Sequence, residues 1–101
     1  LGVMFDKVPA IEDRALDEDG QRFLKAVLQF RKMHIPPTPM RIMRKERMSD
    51  KRVQDVARAL ENAGFVALTF RGLNEVRDIN LTSKGVAKLI ELGADVPMVM
   101  T

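Results

Sequence analysis

Apolar residues first fall into register at Phe23, Leu24, Val27, Leu28 and Phe30, with mostly three- and four-residue spacing. Such a stripe marks one buried helix face. Asp17-Glu18-Asp19 just before it supplies N-terminal helix signals, with negative charge near the positive end of the helix dipole. Ile35-Pro36-Pro37 ends the segment, because proline has no amide hydrogen and pushes the preceding residue out of the helical region. The pattern therefore predicts a helix from this acidic cluster to about Lys32. Thr38-Pro39 caps a second helix, in which Met40, Ile42 and Met43 are the apolar positions and the two methionines are expected to fill core space. Ser49-Asp50 opens a third. Its buried stripe is Val53, Val56, Ala57, Leu60 and Ala63, and Gly64 is placed to end it in the left-handed region.

After Gly64 the period changes. Phe65-Val66-Ala67-Leu68-Thr69-Phe70 is β-prone, Arg71-Gly72-Leu73-Asn74-Glu75 holds turn chemistry, and Val76 to Leu81 mixes apolar and polar positions as a half-buried return strand does. Together these predict a hairpin. Thr82 or Ser83 then caps a last helix, with Val86, Leu89 and Ile90 expected to face inward and Gly93 past its end. Residues 1–16, interrupted by Pro9, read as an irregular arm, residues 17–93 as the folded domain and residues 94–101 as a short apolar tail. The expected class is mainly α with a small β-hairpin, α+β.

Composition narrows the choice of function. A chain of 101 residues, 46% hydrophobic and 31% charged, suits one soluble globular domain. The absence of cysteine excludes disulfides, cysteine-containing zinc sites and thiol nucleophiles. With no long apolar run and no signal-like amino end, a cytoplasmic location without membrane contact is expected. The net charge of +3 is unevenly spread. Residues 31–58 carry nine basic residues against three acidic ones, a local excess of +6 within a chain whose other parts are slightly negative. A local basic segment is the footprint of a polyanion partner, although a solvated helix face can also be basic.

The order of elements resembles the winged helix-turn-helix DNA-binding domains of MarR- and PadR-like bacterial regulators. Two segments carry the likeness: Ser49-Asp50-Lys51-Arg52-Val53-Gln54-Asp55-Val56-Ala57-Arg58-Ala59-Leu60-Glu61-Asn62-Ala63-Gly64-Phe65-Val66 and Leu81-Thr82-Ser83-Lys84-Gly85. The resemblance spans roughly Phe23 to Leu92 and implies a recognition helix over residues 50–63 with a wing over 65–81. It implies a small transcriptional regulator that binds double-stranded DNA sequence-specifically as a homodimer. A helix fits the major groove and reads base edges from its outward face, while flanking cations hold phosphates. Arg52 and Gln54 are the candidates for base edges, because a guanidinium pairs bidentately with guanine and an amide with adenine. Ser49, Lys51 and Arg58 are candidates for phosphate. Arg41, Arg44 and Lys45 on the preceding helix track the backbone in this reading, and Arg71 or Arg77 reaches an adjacent minor groove.

Asp55, Glu75 and Asp78 depart from a purely basic surface, and the long terminal helices through which MarR-like proteins dimerise are missing or very short. The arm and tail are then expected to contribute to any dimer. The acidic residues keep one alternative open, a winged-helix protein-interaction or assembly module without DNA binding, and the opening Leu1 permits another, a fragment of a replication or plasmid-maintenance protein. Enzymatic function is not expected. There is no phosphate loop, nucleophile elbow or zinc motif, and no cofactor is implied. His34, the only histidine, lacks partners for a metal and reads as structural or exposed. Asp17-Glu18-Asp19 fits helix capping better than acid–base chemistry.

Overall fold

A computed structural model describes residues 15–73 and 75–97. Four helices and one hairpin follow in the order α1 (Glu18–Lys32), α2 (Pro39–Glu46), α3 (Asp50–Asn62), β1 (Val66–Arg71), β2 (Glu75–Leu81) and α4 (Ser83–Glu91). The described residues are mainly helical, with one antiparallel two-stranded sheet. Most of the arm, residues 1–14, and residues 98–101 of the tail lie outside the described residues. Ala15, assigned to the arm by its sequence, is buried in the core.

Each helix begins where a short polar side chain can satisfy an amide left without a partner in the first turn. Asp17 accepts from the Gly20 amide at 2.8 Å, Thr38 from Arg41 at 3.3 Å, Ser49 from Arg52 at 3.1 Å and Thr82 from Gly85 at 3.0 Å. The helix ends share a different device, a residue in the left-handed region. Gly64 and Gly93 adopt it at φ 87° and 86°, whereas His34 and Arg47 adopt it at 58° and 56° despite carrying a Cβ. Gly64 thus terminates α3 as its sequence position predicts. Exposed His34 closes α1 as part of a turn in which the Ile35 amide donates to the Phe30 carbonyl at 2.9 Å.

The core is one cluster built around α1. Phe23, Leu24 and Val27 are fully buried and meet Ile42 of α2, Val53, Ala57 and Leu60 of α3, Phe65, Ile79 of β2 and Leu89 of α4. Burying one such side chain stabilises the fold by about 1.5–3 kcal/mol. Two inward assignments are corrected. Met40 is 59% exposed and Ile90 51% exposed, so Pro39, Ile42 and Met43 carry the inward face of α2, and Gly85, Val86 and Leu89 that of α4. Met40 occupies the second position of α2, between buried Pro39 and the next buried residue, Ile42.

In the hairpin, Val66, Leu68 and Phe70 pair with Leu81, Ile79 and Val76. All six share one face of the ribbon, because cross-strand partners point the same way. Val76 and Ile79 are three residues apart, which in a regular strand would send them to opposite faces. The register shifts between Thr69 and Phe70, whose partners are Asp78 and Val76, so Arg77 is the extra residue of a bulge. On its other edge β2 donates the Ile79 amide to the Pro37 carbonyl at 3.2 Å, which ties the loop after α1 to the sheet.

The two segments that carry the family likeness dock on each other. Thr82 donates its hydroxyl to the Gly64 carbonyl at 2.6 Å and its amide to the Phe65 carbonyl at 3.2 Å. Lys84 donates Nζ to the Ala63 carbonyl at 2.8 Å and stands 5.2 Å from the centroid of the Phe65 ring. Gly85 faces the Phe65 carbonyl so closely that a Cβ there would collide with its oxygen. Leu-Thr-x-x-Gly is therefore the clamp that fixes the end of α3 to the start of α4.

Candidate nucleic-acid interface

Three residues connect α2 to α3, and each has a distinct task. Arg47 turns the chain through the left-handed region, Met48 drops into the core and Ser49 caps α3. With Val53, Val56, Ala57 and Leu60 committed to the core, the outward side of α3 is Lys51, Asp55, Arg58 and Asn62, all exposed. Their spacing of four, three and four residues makes one continuous stripe. Asp55 stands between the two cations of that stripe.

Beside it, α2, the start of α3 and the hairpin enclose an open groove of about 530 Å³. Arg41 and Arg44 line it from α2, Gln54 from α3, and Arg71 and Arg77 from the hairpin, so the fold gathers five of the ten candidate residues there. Asp50, Glu75 and Asp78 also line it, leaving four arginines against three carboxylates. Lys45 and Ser49 are exposed outside the groove, on α2 and at the cap of α3.

These cations are not equally available. Arg41 donates Nη1 to the Pro36 carbonyl at 2.8 Å, and Arg77 Nε lies 3.4 Å from Asp78 Oδ2. Among the described residues, Arg44, Lys45, Lys51 and Arg71 make no side-chain hydrogen bond or ion pair. Gln54 Oε1 is buried without a partner, a condition that costs about 1–3 kcal/mol while it lasts.

Arg52 is placed differently from its expected role at base edges. Its Nε donates to Asp19 Oδ2 at 2.7 Å and its Nη2 to Asp17 Oδ2 at 3.1 Å, so the guanidinium is turned toward the start of α1 and away from the exposed stripe. The hydrogen bond to Asp19, joined by that to Asp17, raises the pKa of Arg52 above its ordinary value despite partial desolvation. Asp19 also lies 3.5 Å from Arg22 Nη1. Arg22 in turn meets Glu46 Oε1 at 3.1 Å and donates Nη2 to the Glu46 carbonyl at the end of α2. One carboxylate on α1 thus touches the cations that hold both sides of the α2–α3 turn. Thr82 caps α4 as its position predicts, but its contact with Gly64, that of Lys84 with Ala63 and that of Arg22 with Glu46 are not legible in the sequence, because the partners lie 18 to 24 residues away along the chain.

No protein-family model matches the chain, and searches of curated proteins and of solved structures return no match. Among the described residues, no helix is long and apolar enough to cross a membrane, and no group of three or more His, Cys, Asp or Glu side chains is placed to hold a metal ion.

Proposed function

We propose that the chain is a winged helix-turn-helix protein that binds double-stranded DNA sequence-specifically, acting as a small homodimeric transcriptional regulator. The observation that carries this reading is the pairing of the exposed α3 stripe with a flanking groove whose arginines come from both α2 and the hairpin. In it α3 enters the major groove, Gln54 reads a base edge, and the hairpin is the wing. Gln54 lines the groove, and in this reading its side chain turns outward so that its amide pairs with adenine. Arg44, Lys45, Lys51 and Arg71, free of internal partners among the described residues, bind phosphate. Two copies related by a twofold axis would engage half-sites about 34 Å apart.

Selection from a random duplex library, followed by titration of the selected duplex over a range of salt, tests the reading. Binding should weaken steeply with salt, by a logarithmic slope of about 0.9 for each phosphate neutralised. Lys51→Ala should weaken selected and scrambled duplexes alike and reduce that slope by about 1. Absence of duplex binding at low salt would overturn the proposal. The runner-up, a protein-interaction module on the same fold, draws on Asp55, Glu75 and Asp78 together with exposed Met40, Phe70 and Leu73.

A further inference from the structure

Asp19 lies on α1, outside the groove lining, yet it joins the two arginines that hold the α2–α3 turn. Arg52 Nε reaches Asp19 Oδ2 at 2.7 Å, Arg22 Nη1 reaches Asp19 Oδ1 at 3.5 Å, and Arg22 grips the last residue of α2 through both the carboxylate and the carbonyl of Glu46. Asp17 adds a second contact to Arg52 at 3.1 Å. The turn itself is three residues long, and of these only Met48 is buried; core packing through Ile42 of α2 and Val53, Ala57 and Leu60 of α3 sets the coarse angle, and the polar contacts act on top of it. α1, by contrast, is anchored by fully buried Phe23, Leu24 and Val27. The ion-pair cluster therefore adds a polar tie between the start of α3, the end of α2 and the start of α1.

We infer that Asp19, with Asp17, is a positioning residue for DNA recognition, setting the angle at which α3 meets the duplex through Arg52 and Arg22. This rests on the DNA-binding reading and replaces the expected base contact of Arg52 with an indirect role. It has a consequence opposite to simple electrostatics. Removing a carboxylate from a DNA-binding protein ordinarily strengthens binding, because a repulsion with phosphate is lost. Here Asp19→Asn leaves Arg52 only its contact to Asp17 and weakens the tie to Arg22, so α3 is less precisely set and binding to the selected duplex weakens although the protein becomes more positive.

The test measures the affinity of wild type, Asp19→Asn and Asp17→Asn for a selected and a scrambled duplex, alongside thermal unfolding. Asp19→Asn should lose about tenfold on the selected duplex, within the range of coupling inside one ion-pair network, while scrambled DNA binds as well as before or better. A merely unfolded variant would lose both. Asp17→Asn keeps a capping side chain and should show the same loss in smaller degree, which serves if Asp19→Asn does not fold. Asp19→Glu, which keeps the negative charge facing Arg52 and Arg22, should retain most of the discrimination that Asp19→Asn loses. If wild type discriminates but Asp19→Asn and Asp17→Asn do so equally well, or if Asp19→Glu discriminates no better than Asp19→Asn in a folded protein, the positioning role is wrong. If wild type binds no duplex, the DNA reading fails and this inference falls with it.

Discussion

Single residues in this fold are constrained by backbone more often than by chemistry, and the clearest case is Gly85. A Cβ there would meet the Phe65 carbonyl, a backbone group that cannot swing aside as a flexible side chain does. Gly85→Ala should therefore destabilise by about 3 kcal/mol, the upper end for overpacking, read as a fall in the urea midpoint at unchanged slope. Arg47 presents the reverse situation. It holds a left-handed conformation at φ 56°, which costs an L-residue about 1–2 kcal/mol. Glycine would relieve that strain against an unfolded-state entropy cost of about 0.5–1 kcal/mol, so Arg47→Gly should be neutral or stabilising by up to about 1 kcal/mol in the same measurement. A loss of more than 1 kcal/mol would show that the Arg47 side chain has a structural partner. The glycine ends were legible because the residue type announces the conformation. Arg47 and His34 were not, since nothing local distinguishes a charged residue that must turn left-handed from one on a helix surface.

Elements were legible wherever cap and period agreed, as at Ser49 with Val53, Val56, Ala57 and Leu60. They were misjudged where an amphipathic pattern was carried one residue too far, as at Met40 and Ile90. Both are apolar neighbours of a buried residue, Pro39 and Leu89, and one step along a helix turns a side chain by about 100° off the buried face. The hairpin contained a further clue in the three-residue spacing of Val76 and Ile79, which can be reconciled with one buried face only by a bulge. This makes an unusual deletion tolerable. Removing Arg77 alone would restore an unbroken pairing of Val76 with Phe70 and Asp78 with Thr69, leaving every inward residue in place. Deletion of Arg77 should change stability by less than about 1 kcal/mol, whereas deletion of Asn80, which flips Leu81 relative to Ile79, should be far more damaging. Comparative denaturation of the two deletions checks the register directly. The same deletion takes one arginine from the groove and should lower DNA affinity if the hairpin is a wing.

For the whole molecule, the position of a carboxylate decides more than its charge. Asp19 and Asp55 have the same chemistry, yet Asp19 is held among Arg22 and Arg52 while Asp55 lies exposed between Lys51 and Arg58 on the outward stripe of α3. Sequence order could place both near basic residues but could not tell which one faces inward, because the partners of Asp19 include a residue 33 positions away. If α3 meets DNA, Asp55 opposes phosphate, and Asp55→Asn should strengthen binding to scrambled duplex by about fivefold at low salt. That corresponds to the ~1 kcal/mol of a unit charge about 4 Å away in water, and it should fade as salt screens it. Selected duplex should gain less if Asp55 accepts from a cytosine amino group, so the ratio between the duplexes reports whether it reads a base. A protein-interaction module predicts neither change, since its Asp55 would face a cationic partner and its loss would leave duplex affinity where it was. Measuring Asp55→Asn beside Asp19→Asn by fluorescence anisotropy therefore separates the readings by sign: opposite shifts on the selected and scrambled duplexes favour a DNA face held by a cluster behind it, and absence of both favours the protein partner.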